Sequence, residues 1–329
     1  MPRIPLSEAP GSLLSAIGPL ARRFSQHDGA DSVLSGAAGG SLAVVTGFGP
    51  TNAPTAGTLS VMLGIVELQR YFAAPTTVVI SELGAWNSRN VPWGQLLDVR
   101  DQMIEFLKAI GFDLNSGELR SHLDHGNLVR CGRIARFLNR QDFLDNREDL
   151  LELYGSHGLL GSEVGIMIDS LYTVADILGP AESGATRILM VSGAEEAYFT
   201  DLARLVLTRQ HDAGELGLNW DAVLGALYFR VLEGLAGYPK MSKSIPASSI
   251  HLGMPASEIT RQILTDDEAS QRPLLSAIEL SSGWPLAEID SARQAFAERR
   301  SAPAAWEKAK RNFTETFLSY RQRWQRCGR

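Results

Sequence analysis

The sequence contains few of the residues that build covalent or metal cross-links. Of its 329 residues, two are cysteine and six are histidine. Cys131 and Cys327 are too far apart to predict a disulfide framework or a zinc cluster, and the scattered histidines predict no metal-ligand set. We therefore expect a protein of a reducing compartment, the cytoplasm, with no metal site built from its own side chains.

Excess basic charge and long apolar runs are also missing. The chain has 31 Lys and Arg against 37 Asp and Glu, a formal charge of −6. This balance argues against a protein that coats DNA, although an acidic body can still carry a local basic surface. No uninterrupted apolar run reaches the roughly 18 to 20 residues of a membrane span, and the start lacks a secretory apolar segment. We expect a soluble protein with no DNA and no membrane partner.

What the chain does contain is an alternation of strand and helix patterns. Residues 77–80 predict a strand, 81–86 a turn at its end, and 96–110 a helix closed by Gly111. Residues 188–192 predict a buried strand, followed by a glycine turn and a helix that ends near Leu207. This alternation predicts an α/β fold with a doubly wound parallel sheet, whose ligands collect beyond the strand ends at the switch point.

We divide the sequence into three parts. Residues 1–40 form an N-terminal extension, with an amphipathic helix from Leu13 to Phe24 and a flexible joint at 36–40. Residues 41–250 form a Rossmann-like domain with inserted helices, and residues 251–329 form a smaller helical region. The 44% hydrophobic content supplies enough core for a large and a small domain.

A short basic loop is the most informative segment. It places two lysines and two hydroxyl groups within five residues, Lys240, Met241, Ser242, Lys243 and Ser244. Two ammonium groups on a loop can neutralise the charge that develops on a polyphosphate during displacement of pyrophosphate. The alternative interpretation is a solvated basic loop without a ligand.

A glycine-rich turn joins an apolar strand pattern to a helix pattern that begins near Leu59. Gly47, Gly49 and Gly57 let the backbone approach a ligand closely, and the N–H groups of the helix N-terminus favour phosphate. The segment matches neither the dinucleotide fingerprint nor the P-loop pattern. A tight strand-to-helix connection without a nucleotide therefore stays open as an alternative.

Together, in this order, the two segments resemble the signature pair of class I aminoacyl-tRNA synthetases, in particular the tryptophanyl branch. Residues 55–58, Thr-Ala-Gly-Thr, stand where that class has His-x-Gly-His. The resemblance implies that Thr55, Gly57 and Thr58 hold the triphosphate of ATP and that Lys240 and Lys243 stabilise the transition state. It implies further ATP contacts and a Mg²⁺ ion carried by ATP. These further contacts are Gly47, Gly49, Met241, Ser242 and Ser244.

An apolar helix pattern over residues 159–178 contains an acid, Asp169, that is costly to bury without a donor. The resemblance places Asp169 where tryptophanyl and tyrosyl synthetases have an aspartate that accepts from the indole N–H or phenol O–H. It also implies amino-acid contacts from Phe48 and Ile166. The alternative for Asp169 is a cap or ion pair within the helical packing.

The segment that begins with Gly193 departs from the family pattern. The resemblance implies that Gly193 and Glu195 bind ATP and that residue 196 contacts the amino acid, but Glu196 replaces a glutamine. An ionised glutamate only accepts hydrogen bonds, whereas glutamine also donates. Residues 245–247, Ile-Pro-Ala, likewise stand where the family often has Asp-Pro-Asn. These departures predict a divergent member with an altered substrate or a compensating cation.

The final helix pattern combines aromatic and basic residues. Trp306, Phe313, Phe317, Tyr320 and Trp324 recur at helical spacing, which predicts a packed face. The basic residues, predicted to lie mostly elsewhere on the helix, are a candidate tRNA surface or a solvated face. They are Lys308, Lys310, Arg311, Arg321, Arg323, Arg326 and Arg329.

Three functions are compatible with these residues. The first is ATP-dependent activation of tryptophan, or a close aromatic analogue, and its transfer to tRNA. The second is a synthetase paralogue that activates an amino acid for specialised metabolism, a hypothesis favoured by Glu196 and by the only 85 residues that follow Ser244. The third is a silent protein that binds an amino acid or a nucleotide. The family resemblance also implies a homodimer.

Overall fold

The computed structural model describes residues 3–35, 40–89, 91–144, 162–241 and 246–328. In this part of the chain, one seven-stranded sheet has the order β1-β2-β7-β6-β3-β4-β5. The strands are β1 Ile4–Pro5, β2 Phe24–Asp28, β3 Leu42–Phe48, β4 Thr76–Ile80, β5 Gly117–Ser121, β6 Arg187–Gly193 and β7 Val223–Phe229.

The helices lie between and after these strands. The first seven are α1 Gly11–Ile17, α2 Ala30–Leu34, α3 Ala56–Phe72, α4 Glu82–Ser88, α5 Trp93–Ala109, α6 His125–Ile134 and α7 Arg140–Leu144. They are followed by α8 Glu163–Glu182, α9 Ala197–Asp212, α10 Ala256–Ile263, α11 Glu268–Ser281, α12 Leu286–Ala297 and α13 Pro303–Cys327.

Strands β3 to β7 are parallel to one another, and the predicted doubly wound sheet is confirmed. Strands β6 and β7 have long runs of buried residues, because helices cover both faces of a parallel sheet. The chain leaves β3 towards β4 and β5 on one side and then continues with β6 and β7 on the other. The switch point therefore lies between the carboxyl ends of β3 and β6.

The N-terminal extension forms more than the predicted helix. Helix α1 ends at Ile17 because Gly18, at a φ of 48°, and Pro19 follow it, and a 3₁₀ segment then leads into β2. Strand β2 pairs antiparallel with β7, where the Phe24 and Phe229 rings lie 4.9 Å apart. Residues 36–39 of the predicted joint lie outside the described residues.

One predicted boundary was wrong. Residues 81–86, predicted as a turn, mostly belong to α4, which begins at Glu82 and runs to Ser88. An acid in the first turn favours the positive end of the helix dipole, and the Ala85 N–H donates to the Ser81 carbonyl at 2.9 Å. Helix α5 matches its prediction closely, and Gly111, at a φ of 106°, follows its end.

Helix α8 is long and apolar enough to cross a membrane by length and composition, with a mean hydropathy of 1.3 over its most apolar window. Half of that window is buried in the fold. Its residues Val174, Ile177 and Leu178 pack in the core with residues of β6 and α9. The packing is that of a core helix.

The chain divides into two compact units. The first comprises Met1–Thr51, Leu68–Arg100 and Phe112–Arg230, and contains the sheet. The second comprises Asn52–Glu67, Asp101–Gly111 and Val231–Arg329, and contains the helical C-terminal region α10 to α13. The division of the sequence at residues 40 and 250 remains a prediction.

In the second unit, the aromatic face of α13 is confirmed as core. Trp306, Phe313, Phe317 and Trp324 are at most 4% exposed. The prediction that Lys310 belongs to the basic surface was wrong, since this residue is only 1% exposed. Its Nζ donates to the Thr265 carbonyl at 3.0 Å and lies 2.7 Å from a carboxylate oxygen of Glu307. A paired, buried ammonium cannot contact a nucleic acid.

Candidate functional site

Two of the predicted segments meet at the switch point of the sheet in the first unit. Gly47 and Gly49 lie exposed at the carboxyl end of β3, and Gly193 ends the adjacent strand β6. The buried Phe48 between the two glycines is paired with Ile80 of β4, and its carbonyl accepts from the Ser81 N–H at 2.9 Å. The Thr46 hydroxyl of β3 donates a hydrogen bond to the Val191 carbonyl of β6 at 2.6 Å, and this bond joins the ends of the two strands.

Asp169 lies on α8 against α4. A Cβ atom added at Gly84 of α4 would lie 2.2 Å from Asp169 Oδ1, so only glycine fits beneath this carboxylate. A Cβ at Gly165, one turn earlier on α8, would lie 2.6 Å from the Asn87 carbonyl. The two helices therefore pack with their backbones close together, and Ile166 is buried beside this contact.

A buried ion-pair network adjoins Asp169. His122, which follows β5, is 1% exposed, and its Nε2 lies 2.6 Å from Asp176 Oδ2. The other oxygen of Asp176 accepts from Arg120 at 3.0 Å, and the Gly84 N–H donates to His122 Nδ1 at 3.2 Å. Burial lowers the pKa of His122, but the charge and hydrogen bond of Asp176, with the charges of Asp169 and Glu82, raise it overall.

Glu196 lies in the 3₁₀ turn that follows β6. Its burial and the neighbouring charge of Glu195 raise its pKa to about 8, and Asp169 adds to this shift while a Gly193 backbone hydrogen bond and Arg89 oppose it. At neutral pH the carboxyl is therefore mainly protonated, with one donor and one acceptor. A protonated glutamate offers a hydrogen-bond donor and an acceptor, as a glutamine does. The chemical difference between Glu196 and a glutamine is therefore smaller than the sequence suggests.

The second unit contains the N-terminus of α3. Thr55 caps the helix, because its Oγ1 accepts from the Thr58 N–H at 3.2 Å. The Ala56 N–H donates to the Ile250 carbonyl at 2.9 Å, and an antiparallel bridge joins Thr55 to His251. The Gly57 N–H lies between the N–H groups of Ala56 and Thr58, which both donate within the protein. At this end of the helix, the dipole favours an anion.

The base of the lysine loop adjoins this helix end. The Met241 N–H donates to the Leu232 carbonyl at 3.2 Å, and a Cβ at Gly57 would lie 3.9 Å from Leu232 Cβ. Met241 is buried, whereas Lys240 is half-buried. Leu232 therefore lies next to both segments, the capped turn at Thr55 and the start of the lysine loop. Ser242, Lys243 and Ser244 lie outside the described residues.

Several residues near these sites were missed by the sequence interpretation. Gly234 is required at the base of the lysine loop, since a Cβ there would lie 2.6 Å from Tyr238 Cβ and 2.8 Å from the Lys240 carbonyl. The glycine turn before Tyr238 was a signal for it. Nothing in the sequence connects His122 to Asp176, because their pairing depends on the tertiary fold.

The backbone around Gly57 could hold a phosphate group. A Cβ at this position would be no closer than 3.5 Å to Thr55 Oγ1, and without one the N–H remains approachable. Within the described residues, no group of three or more His, Cys, Asp or Glu side chains can hold a metal ion.

No family model matches the sequence, and no curated protein sequence matches it. Solved structures do match the fold. Tryptophanyl-tRNA synthetase from the hyperthermophilic archaeon Aeropyrum pernix K1 superposes with a TM-score of 0.72 at 20% identity, over 99% of this chain and 92% of that one.

The chain has the fold of a class I aminoacyl-tRNA synthetase.

Two further structures agree with this synthetase fold. Tryptophanyl-tRNA synthetase from Giardia lamblia gives a TM-score of 0.70 at 17% identity, over 97% of this chain and 91% of that one. Tyrosyl-tRNA synthetase from Archaeoglobus fulgidus, complexed with L-tyrosine, gives 0.68 at 17% identity, over 97% of this chain and 99% of that one. The synthetase fold therefore extends over nearly the whole chain.

Proposed function

We propose that this protein activates an amino acid with ATP and transfers it to tRNA. The observation that carries the proposal is the position of Leu232 in the second unit. Leu232 lies beside Gly57 at the capped end of α3, and its carbonyl accepts from the N–H of Met241 in the lysine loop. A phosphate-binding helix end and a lysine loop are the two elements that this chemistry requires. They stand in a synthetase fold that contains acidic side chains at the switch point of its sheet.

The proposed reaction needs no general base. The amino-acid carboxylate attacks the α-phosphorus of ATP, a P–O bond forms, and the bond to the leaving pyrophosphate breaks. The Gly57 N–H and the hydroxyls of Thr55 and Thr58 orient the triphosphate, and Lys240 and Lys243 stabilise the added negative charge. Met241, Ser242 and Ser244 complete the loop around the phosphates. A Mg²⁺ ion carried by ATP would add positive charge at the phosphates.

In the first unit, the residues proposed to contact a nucleotide lie at the switch point. Gly47, Gly49 and Gly193 let the backbone approach the nucleotide, and Glu195 accepts from it. Their placement at the carboxyl ends of β3 and β6 supports this assignment.

Tryptophan, or a close aromatic analogue, is the amino acid that we propose. Asp169 accepts from the substrate N–H, Ile166 and Phe48 contact its apolar part, and Glu196 binds the amino group. A single buried acceptor of this kind rejects analogues without the donor by about 10⁴-fold. The position of Asp169 over Gly84, inside the first unit, supports this role.

The chain is proposed to act as a cytoplasmic homodimer. An apolar surface on the first unit supports this proposal, since Leu128 and Val129 of α6 and Val164 and Ile168 of α8 are all more than a third exposed. Helices α6 and α8 pack against each other, so a second copy can cover both together.

The tRNA is proposed to contact the exposed basic residues of α13. Lys308, Arg311, Arg323 and Arg326 are exposed, and the half-buried Arg321 donates to the Met254 carbonyl at 2.6 Å. Binding through such residues depends strongly on salt. Loss of tRNA binding in an Arg311→Gln, Arg323→Gln variant, with unchanged amino-acid activation, supports the assignment; unchanged tRNA binding at low salt contradicts it.

A synthetase paralogue of specialised metabolism is the second candidate, which the sequence favours through Glu196 but which the raised pKa of Glu196 weakens. Amino-acid-dependent exchange of pyrophosphate into ATP tests activation itself. Aminoacylation of purified tRNA at low salt then separates the two candidates, because only the first requires charging of tRNA for translation. If no amino acid supports pyrophosphate exchange, both candidates are contradicted. The third function, a silent binding protein, then remains.

A further inference from the structure

The strongest additional feature is the position of His122 between two walls of the proposed amino-acid pocket. One ring nitrogen, Nδ1, accepts from the backbone N–H of Gly84 on α4 at 3.2 Å. The other, Nε2, lies 2.6 Å from Asp176 on α8. The ring therefore joins the helix that lies beneath Asp169 to the helix that contains Asp169.

Both partners select the same form of the imidazole. Asp176 also accepts a hydrogen bond from Arg120 at 3.0 Å, and as a carboxylate it can only accept, so Nε2 must carry the proton. A backbone N–H can only donate, so Nδ1 must be without a proton. The neutral Nε2–H tautomer satisfies both hydrogen bonds, and Tyr172 stacks on the ring with the centroids 5.3 Å apart.

Gly84 transmits the position of the ring to Asp169. A Cβ atom at Gly84 would lie 3.1 Å from His122 Cε1 and 2.2 Å from Asp169 Oδ1. The edge of the His122 ring and the carboxylate of Asp169 therefore lie against the same side of Gly84. A shift of α4 away from His122 changes the space next to Asp169.

We propose that neutral His122 is a positioning residue that holds α4 against Asp169 and so sets the shape of the amino-acid pocket. The inference rests on the proposed function. Protonation of Nδ1 places two N–H groups opposite each other at Gly84, which breaks the hydrogen bond and releases α4. The substrate's KM then rises as the pH falls through the pKa of His122, while the chemistry at phosphorus is unaffected.

Some of the charged and titratable groups around the His122 ring favour its protonation, and others oppose it. Asp176 and Asp169 of α8 and Glu82 of α4 favour the protonated ring, whereas burial opposes it. Arg120 of β5 opposes it through its charge, and Tyr172 of α8 covers the ring face. The balance of these groups sets the pH at which α4 is released.

Two amide variants separate the two hydrogen bonds. A glutamine at 122 reaches the place of Nε2 and can still donate to Asp176, but it has no acceptor at the place of Nδ1. An asparagine has its carbonyl oxygen near the place of Nδ1 and can still accept from Gly84. His211→Gln, on an exposed histidine at the end of α9, is the matched control.

We expect His122→Gln to raise the KM for the amino acid about tenfold with kcat nearly unchanged, because one positioning hydrogen bond is lost. The rise of KM at acidic pH should also disappear. His122→Asn should raise KM clearly less, and the control variant should match the wild type. Equal KM values for the glutamine and asparagine variants, or an acidic rise of KM that persists in the glutamine variant, would overturn the proposal.

A second readout does not depend on activity. The ¹⁵N chemical shifts of His122 report its tautomer, and the Gly84 amide resonance reports the position of α4. A Gly84 resonance that titrates together with His122 supports the positioning role, and a resonance that stays fixed overturns it. If no amino acid supports pyrophosphate exchange, the proposed function fails, while this titration still decides the role of His122.

Discussion

Thr55 and Thr58 are joined by a hydrogen bond that begins helix α3, with the Thr58 N–H donating to Thr55 Oγ1 at 3.2 Å. The two hydroxyl oxygens lie 3.3 Å apart. Thr55 therefore has a structural role of its own, which can be separated from ligand binding.

Replacement of Thr55 by valine should destabilise the protein by about 1 kcal/mol, because valine keeps the shape but cannot accept the capping hydrogen bond. Thr55→Ser should retain most of the stability. Urea unfolding of both variants measures the difference. Equal losses in the serine and valine variants would show that the cap contributes nothing.

Replacement of Gly57 by alanine should stabilise α3 and impair catalysis. The added Cβ would make only ordinary contacts, at 3.5 Å to Thr55 Oγ1 and 3.9 Å to Leu232 Cβ, and alanine favours a helix by about 1 kcal/mol. The same methyl group obstructs the approach of phosphate to the Gly57 N–H. We expect a higher unfolding midpoint together with a higher KM for ATP.

Gly132→Ala is the matched control for this variant. Gly132 lies in α6, and a Cβ there would meet nothing within 4 Å, so the helix should gain similar stability without any effect on ATP. A Gly57→Ala enzyme with the wild-type KM for ATP would remove the helix end from phosphate binding.

Replacement of Gly234 by alanine should distort the base of the lysine loop. Its Cβ would lie 2.6 Å from Tyr238 Cβ and 2.8 Å from the Lys240 carbonyl oxygen, distances that force the backbone to move. We expect loss of stability of about 1 to 3 kcal/mol by thermal unfolding and slower pyrophosphate exchange. Gly94→Ala, in open space on α5, should neither lower the stability nor slow the exchange. Normal exchange in the Gly234 variant would show that the loop tolerates a shifted base.

The raised pKa of Glu196 predicts a pH dependence of stability. Its pKa is about 8 in the folded protein, against an ordinary value of 4.5, so the folded state holds a proton that the unfolded state releases. The contribution is fully present below about pH 4.5 and is lost as the pH rises towards 8, with a slope below about 1.4 kcal/mol per pH unit. Glu196→Gln should flatten this slope in urea unfolding between pH 5 and 8. A slope unchanged by the substitution would contradict the raised pKa.

Much of the fold follows from local patterns in the sequence. The apolar runs of β3, β4 and β6 and the periodic pattern of α5 predicted these elements within a few residues, because burial on both faces of a parallel sheet leaves a continuous apolar signal. The two-residue strand β1 and the pairing of β2 with β7 had no such signal. They depend on which sheet edge is available, and that is a tertiary property.

The candidate site residues also divide into those that a local motif predicts and those that depend on the tertiary structure. Thr55, Gly57 and Lys240 lie in contiguous motifs, which a sequence can display. Asp169 and Asp176 are two acids of one apolar helix, and the sequence does not distinguish them. The structure does, since Asp176 is 4% exposed and paired with Arg120 and His122, whereas Asp169 lies against Gly84.

The most direct test of the proposed function is amino-acid-dependent ATP–pyrophosphate exchange, measured across the standard amino acids and several substituted tryptophans. We predict exchange with tryptophan or a close analogue, and a loss of roughly 100-fold or more in Lys243→Ala, because one charge-stabilising group is removed from the transition state. The folded fraction of the variant, followed by thermal unfolding, should match the wild type. Exchange with no amino acid, or exchange that is as fast in Lys243→Ala as in the wild type, would contradict activation by this loop.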